Sequence, residues 1–72
     1  MREICIGGRY RHFKGNRYEV VAVARHSETE EELVIYRALY GEQQIWARPL
    51  ADFLGTVTRD GKTCLRFEEI DG

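Results

Sequence analysis

Apolar and polar residues alternate along most of the chain in short segments separated by turn-forming residues. Turn signals occur at Lys14-Gly15-Asn16, at residues 26–32, at Gly41-Glu42-Gln43-Gln44 and at Asp60-Gly61. Short segments between such signals are typical of β-strands. We therefore predict strands at residues 9–13, 17–25, 33–40, 45–49, 56–59 and 62–68.

One segment breaks this alternation, at residues 50–55. Pro49 is suited to the start of a helix and Gly55 to its end, so we predict one short helical turn near residues 50–54. The predicted fold is mainly β, a small SH3-like barrel of five to six antiparallel strands. The 72 residues are expected to form a single domain, residues 1–72, with a small core.

Pairing the predicted strands separates two faces. A four-residue loop at residues 41–44 would place Tyr40 opposite Ile45 and Ala38 opposite Ala47. The face that contains these pairs carries no charge, and we predict that it forms the core. Its members are Tyr18, Val20, Ala22, Ala24, Val34, Tyr36, Ala38, Tyr40, Ile45, Ala47 and Pro49.

The opposite predicted face is too apolar for a surface in water. It comprises Glu19, Val21, Val23, Arg25, Leu33, Ile35, Arg37, Leu39, Trp46 and Arg48. Arg37 would lie opposite Arg48, a repulsive pair that a nearby carboxylate would relieve. The carboxylate could come from Glu19, from Glu68 or Glu69 of the terminal segment, from a partner chain or from a ligand. We predict a binding surface that consists of Arg37, Leu39, Trp46, Arg48, Arg25 and His26. Three kinds of structure could cover this face. The cover is the terminal segment with Leu65, Phe67 and Ile70, a second copy of the chain, or a peptide, nucleic-acid or small-molecule partner.

A basic cluster in the first strands supports an alternative function. Arg9, Arg11, Lys14, Arg17 and Arg25 alternate with Tyr10, Phe13 and Tyr18, a composition that suits RNA or single-stranded DNA. A three-residue loop at residues 14–16 places Tyr10 and His12 on the core face and points Arg9 and Arg11 outward. An ordinary solvated strand remains the other interpretation of this cluster.

Residues 26–32 allow a third function. His26, Ser27 and Glu28 carry the side-chain types of a minor hydrolase or a ligand-binding enzyme, but neighbouring positions do not establish a catalytic geometry. A short helical turn with solvated acidic side chains explains the same segment. We therefore predict a non-enzymatic binding module, without catalytic residues or a cofactor.

The two cysteines and two histidines show no metal-ligand spacing, so no metal site is predicted. We expect Cys5 and Cys64 to be reduced and mostly buried. The sequence contains no apolar run long enough for a membrane span and no recognisable secretory signal at its start, which favours the cytoplasm and no membrane partner.

Three phrases of the sequence resemble a known family. They are YRHFKGNRYEV at residues 10–20, ARHSETEEELVIYRALYG at residues 24–41 and IWARPLADFLG at residues 45–55. They resemble a widespread bacterial family of short stand-alone proteins of unknown function. The resemblance implies an SH3-like barrel in a bacterial protein, and it brings no catalytic residues with it.

Overall fold

The computed structural model describes residues 4–70; residues 1–3 and 71–72 of the predicted domain lie outside the described residues. Seven strands and one helix follow one another within residues 4–70. They are β1 (Arg9–His12), β2 (Arg17–Arg25), β3 (Glu32–Ala38), β4 (Ile45–Pro49), α1 (Leu50–Phe53), β5 (Thr56–Arg59), β6 (Lys62–Leu65) and β7 (Phe67–Ile70). The prediction of a mainly β, antiparallel protein with a short helical turn is confirmed.

Two predicted turns form where the backbone requires residues that tolerate positive φ. Gly15 has φ +104° in the turn between β1 and β2. Asp60 and Gly61 have φ values of 52° and 76° and join β5 to β6, with Arg59 opposite Lys62. An Asp-Gly pair with two positive φ values is the favoured two-residue hairpin turn.

The strands form two sheets, and the larger of them is open at both edges. The larger sheet has the order β4-β3-β2-β1-β7, and β5 and β6 form a separate two-stranded sheet. Among residues 4–70, no pairing joins β4 to β7, so the predicted closure into a barrel is not found. The count of seven strands exceeds the predicted five to six because the last predicted strand breaks at Arg66, whose N–H donates to Gly55 O.

The core lies on one face of the larger sheet, called here the inner face, under α1 and the start of β7. The fully buried side chains include Tyr10, Val20, Val34, Phe53 and Phe67. The rings of Phe53 and Phe67 are stacked with centroids 4.0 Å apart. The predicted placement of Tyr10 on the core face and of Arg9 and Arg11 in solvent is confirmed.

The predicted register between β3 and β4 is wrong. The connection covers residues 39–44, with the Ala38 N–H donating to Gln44 O, so β4 pairs three residues earlier than predicted. Tyr36 lies opposite Trp46, and Val34 opposite Arg48. An odd shift of register exchanges the two faces of a strand. Trp46 and Arg48 are therefore on the inner face, whereas Ile45 and Ala47 are on the outer face.

A β-bulge in β2 changes the face of its second half. Val20 lies opposite Tyr36, but after the bulge Ala22 lies opposite Ile35 and Val23 opposite Val34. A bulge adds one residue to one strand and so inverts the alternation beyond it. Ala22 and Ala24, which were predicted for the core face, are therefore on the outer face.

The terminal segment does not cover the outer face, which contradicts the first predicted cover. Phe67 is buried in the core, and β7 pairs with β1 at the edge of the sheet. The two thiols also differ from expectation, because Cys5 and Cys64 are both free and exposed. In a domain this small, the short entry segment and the two-stranded sheet leave these side chains at the surface.

Candidate functional site

The six residues predicted to form one binding surface lie in three places. Arg37 is on the outer face, Trp46 and Arg48 are on the inner face, and Arg25 and His26 are at the far end of β2. Leu39 follows β3 in the connection, where its N–H donates to Arg17 O at 3.0 Å. The single Arg/Trp face of the prediction is therefore divided by the register of β4.

Arg37 faces a carboxylate and not Arg48. Glu19 is its cross-strand neighbour on β2, and the two side chains form an ion pair. Glu19 was one of the carboxylates that the sequence named for this role. The repulsive Arg37–Arg48 pair does not exist, because Arg48 is opposite Val34.

Arg48 joins β4 to the core and to α1. Its guanidinium donates to Tyr36 Oη at 3.3 Å and to Asp52 Oδ2 at 2.7 Å, and it lies 5.6 Å from the Phe67 ring centroid. Burial disfavours the charged guanidinium, but the contacts with Tyr36 and Asp52 outweigh it, so the pKa of Arg48 is raised. The side chain acts as a structural cation.

Trp46 occupies the rim of the inner face, where it borders a shallow pocket. About half of the Trp46 side chain is exposed, as is about half of Tyr40. The pocket has a volume of about 200 Å³ and is lined by Ala38, Tyr40, Gly41, Glu42, Gln44 and Trp46. Two aromatic rings and one carboxylate thus meet at the connection between β3 and β4.

Tyr40 is held in place by Tyr18. Their hydroxyl oxygens are 2.9 Å apart and their rings meet edge to face at 5.7 Å. Burial, together with the hydrogen bond to Tyr40, raises the pKa of Tyr18 to about 12. The hydroxyl contact and the ring contact hold the Tyr40 ring beside the pocket.

The outer edge of β4 has backbone groups that no strand of the described chain uses. Hydrogen-bonded pairs alternate along an antiparallel ladder. Because the Ala38 N–H bonds Gln44 O, the Trp46 and Arg48 backbone groups point to β3, and those of Ile45 and Ala47 point away. Ile45 is 61% exposed. Such an edge is a template for a further strand.

An apolar strip on the outer face adjoins this edge. Val21 and Ile45 are exposed, and the strip, called here the outer apolar strip, comprises Val21, Ala22, Ala24, Leu33, Ile35, Ile45 and Ala47. Nothing in residues 4–70 covers it. The sequence therefore predicted a partly apolar surface correctly but assigned several of its members to the wrong face.

In the acidic loop, the His26 ring binds the backbone of its own segment. His26 Nδ1 accepts the backbone N–H groups of Glu28 at 3.1 Å and Thr29 at 3.4 Å. A nitrogen that already accepts two hydrogen bonds is a poor general base. The predicted short helical turn is present, because the Glu30 N–H donates to His26 O at 2.9 Å. Glu30 ends the turn with φ 62°, and the His26 N–H donates to Glu31 O to close the connection.

One residue of the basic N-terminal cluster, Lys14, lies over Phe13, together with Arg59 of β5. Lys14 Nζ and the Arg59 guanidinium lie 5.9 and 5.5 Å from the Phe13 ring centroid. Burial, and then the charges of Arg48, Lys14 and Arg66, lower the pKa of His12. Arg11, however, is paired with Glu68 at 3.0 Å. The positive charge is therefore partly neutralised by acidic neighbours.

Comparison with known proteins identifies the family. The sequence profile of a family described as a protein of unknown function (DUF1653) matches residues 8–69. This chain belongs to the DUF1653 family. The match includes the three phrases on which the sequence-based resemblance rested.

A solved structure of a DUF1653 protein supports the fold. The crystal structure of a protein belonging to this family from Bordetella bronchiseptica is 33% identical to this chain, with a TM-score of 0.80. The similarity covers 89% of this chain and 85% of that one. No curated protein matches the chain significantly.

The described residues contain neither a cluster of metal-ligand side chains nor a membrane-spanning helix. No group of three or more His, Cys, Asp or Glu side chains in residues 4–70 converges as a metal site. No helix in that range is long and apolar enough to cross a membrane.

Sequence reasoning missed the pocket between Tyr40 and Trp46. Tyr40 was assigned to a strand and Glu42 to a hairpin loop. The sequence therefore did not predict that both residues lie beside Trp46. The positive φ values of Gly41 and Gln43, 56° and 55°, show that this connection bends more than a four-residue hairpin loop. The Gly-Glu-Gln-Gln sequence marks a turn without giving its length.

Proposed function

We propose that this chain is an interaction module that pairs with a second copy of itself along the edge of β4. The observation that carries the proposal is the free backbone edge of β4, flanked by exposed apolar side chains. We propose the cytoplasm as its location, where the two exposed thiols stay reduced. Two copies would then associate through the edge of β4 and not through a disulfide.

The backbone of β4 is self-complementary in an antiparallel arrangement. A two-fold axis through Ala47 places Ala47 opposite its own counterpart, and both residues direct N–H and C=O groups outward. Ile45 is then opposite Pro49 of the second copy. Proline provides a carbonyl but no N–H, so the ladder is short and the association is expected to be weak.

The side chains of β4 also match across this axis. Trp46 lies opposite Arg48 of the second copy, on the same face of the extended sheet. A guanidinium against an indole ring is a favourable contact, and each Arg48 keeps its own Asp52 as counter-ion. On the other face, the outer apolar strips of the two copies become continuous through Ile45 and Ala47.

The proposal predicts concentration-dependent self-association that depends on the charge at position 46. In sedimentation velocity, the wild-type protein is expected to shift from monomer to dimer as its concentration rises. Trp46→Lys puts a second cation opposite Arg48 and is expected to remain monomeric. Trp46→Glu removes the same indole but faces Arg48 with a carboxylate, so it retains part of the association.

Thr58→Lys, on the exposed face of β5, is the matched control and should associate like the wild type. Circular dichroism establishes that each variant is folded. A wild type that is monomeric throughout the soluble range contradicts the proposal. Equal behaviour of Trp46→Lys and Trp46→Glu contradicts the proposed register.

Nucleic-acid binding remains a second candidate because Lys14 and Arg59 flank Phe13, an arrangement that accepts a stacked base. This candidate requires binding to a single-stranded oligonucleotide that weakens steeply with salt. Fluorescence anisotropy with labelled poly-uridine measures it. The absence of binding at low salt removes this candidate and leaves self-association unaffected.

A further inference from the structure

We propose that the pocket between Tyr40, Glu42 and Trp46 binds a compact alkylammonium group, such as that of choline or of a methylated lysine side chain. This site shares Trp46 with the proposed dimer contact but lies on the opposite side of that residue. The pocket lies on the β3 side of Trp46, where Ala38 and Tyr40 line it, whereas the free edge of β4 lies on the other side.

The aromatic part of the pocket is suited to a cation. Trp46 and Tyr40 are 49% and 46% exposed, and both line the pocket. Indole is the strongest cation–π acceptor among side chains. Lys14, Arg48 and Arg59 lie over Phe13 or Phe67, and in residues 4–70 no cation lies over Trp46.

The carboxylate of Glu42 supplies the complementary charge. No Lys, Arg or His in the described part of the chain forms an ion pair with Glu42. The turn closed by the Gln43 N–H and Tyr40 O, at 3.0 Å, fixes Glu42 close to Tyr40. A charge that is exposed and unpaired beside two aromatic rings provides the selectivity for a cation over a neutral group.

The geometry also limits the size of the ligand. A volume of about 200 Å³ is below the range of pockets for drug-sized molecules. It is sufficient for one ammonium head group, with the rest of the ligand in solvent. The Tyr18–Tyr40 hydroxyl contact preorganises one wall, so binding requires little rearrangement.

Trp46 is the only tryptophan, so its fluorescence reports directly on this pocket. We expect choline and Nα-acetyl-trimethyllysine amide to change the Trp46 emission saturably, at millimolar affinity. The uncharged isostere of choline, 3,3-dimethylbutan-1-ol, is expected to give no saturable change. Sodium chloride at equal ionic strength controls for screening.

Comparison of the two cations identifies the source of the head group. A preference of at least tenfold for the lysine derivative points to a side chain of a partner, and similar affinities point to a free small molecule. Either result supports an alkylammonium site, because both ligands carry the same group.

Two variants test the roles of the lining residues. Glu42→Gln is expected to weaken choline binding about three- to fivefold, as the loss of an exposed ion pair. Glu28→Gln makes the same change in the loop at residues 26–31 and should leave binding unchanged. Tyr40→Leu is expected to remove saturable binding while Trp46 remains as the reporter.

The titration is made at a protein concentration at which sedimentation gives a monomer, so it does not depend on self-association. Equal responses to choline and to its uncharged isostere overturn the proposal, as does the absence of any saturable response. Loss of binding in Glu28→Gln to the same extent as in Glu42→Gln also overturns it.

Discussion

His12 shows how position on the sheet decides the properties of a single residue. It lies on the inner face at the end of β1, with its ring against Phe13, Tyr18 and Phe67. Its Nδ1 accepts the backbone N–H of Lys14 at 3.2 Å, which fixes the turn after β1. The prediction of a core or rim histidine from alternation alone is consistent with this position.

The pKa of His12 is expected to lie below its usual value of 6.5, first because of burial and then because of Arg48, Lys14 and Arg66. A lowered pKa means that His12 contributes stability above pH 6.5, and that this contribution is lost as pH falls through the folded-state pKa. Titration of the His12 ring protons by NMR measures the pKa. Lys14→Gln should raise it, because one nearby cation is removed.

Lys62→Gln removes an exposed lysine that is not among the charges acting on His12, and it serves as the control. The pKa of His12 in this variant should equal that in the wild type. A His12 pKa above 6.5, or equal shifts in the two variants, contradicts the electrostatic account of this residue.

At the scale of elements, the one-turn helix α1 contributes more to the core than its length indicates. Phe53 is fully buried, stacks on Phe67 and meets Tyr10 and Tyr36 edge to face. Leu50 and Leu54 pack against the same cluster. The helix thus covers the core on the inner face of the larger sheet.

Phe53→Ala is expected to abolish cooperative unfolding. Truncation of a buried phenylalanine costs about 3–5 kcal/mol, and a domain of this size holds about the same amount in reserve. Urea denaturation followed by circular dichroism measures the effect. Ala51→Gly, at an exposed position of the same helix, should cost only about 1 kcal/mol. Similar shifts in both variants contradict the assigned role of α1.

The sequence predicted best the strands that are bounded by residues with a strong preference for turns. Asp60-Gly61 and Gly15 mark their hairpins because the backbone needs positive φ there. Leu39 and Tyr40 look like a continuation of β3 because they are apolar. Leu39 does extend the β2–β3 ladder by donating to Arg17 O, but neither residue pairs with β4. Local composition cannot distinguish a strand residue from an apolar residue in a connection.

For the whole molecule, the register of the strands decides which face each side chain occupies. A small error in the predicted register therefore places a whole surface on the wrong face. The bulge after Val20 and the longer connection at residues 39–44 each invert one segment. The sequence indicated that part of the surface is too apolar for water, and this holds for the outer apolar strip. It could not show that Trp46 and Arg48 turn inward, because their orientation depends on a count of loop residues that only the folded chain fixes.

The open order of the sheet leaves two strands at its edges, and the proposed self-association uses one of them. β4 and β7 are both edges, but β7 carries Glu68 and Glu69, and charged residues on an edge oppose pairing. β4 carries one charged side chain, Arg48, which is paired with Asp52, beside Ile45, Trp46 and Ala47. The difference between the two edges is the reason to expect association at β4 and not at β7.

Disulfide trapping at position 47 tests this central claim most directly. In a Cys5→Ser, Cys64→Ser background, Ala47→Cys would place two thiols on the proposed two-fold axis. Directly opposed, hydrogen-bonded residues have Cα atoms about 5.5 Å apart, within the range that a disulfide spans. Mild oxidation followed by non-reducing electrophoresis is expected to give a covalent dimer from Ala47→Cys and little from the exposed control Thr58→Cys. Failure of Ala47→Cys to cross-link, or equal cross-linking of the two variants, would contradict pairing along β4.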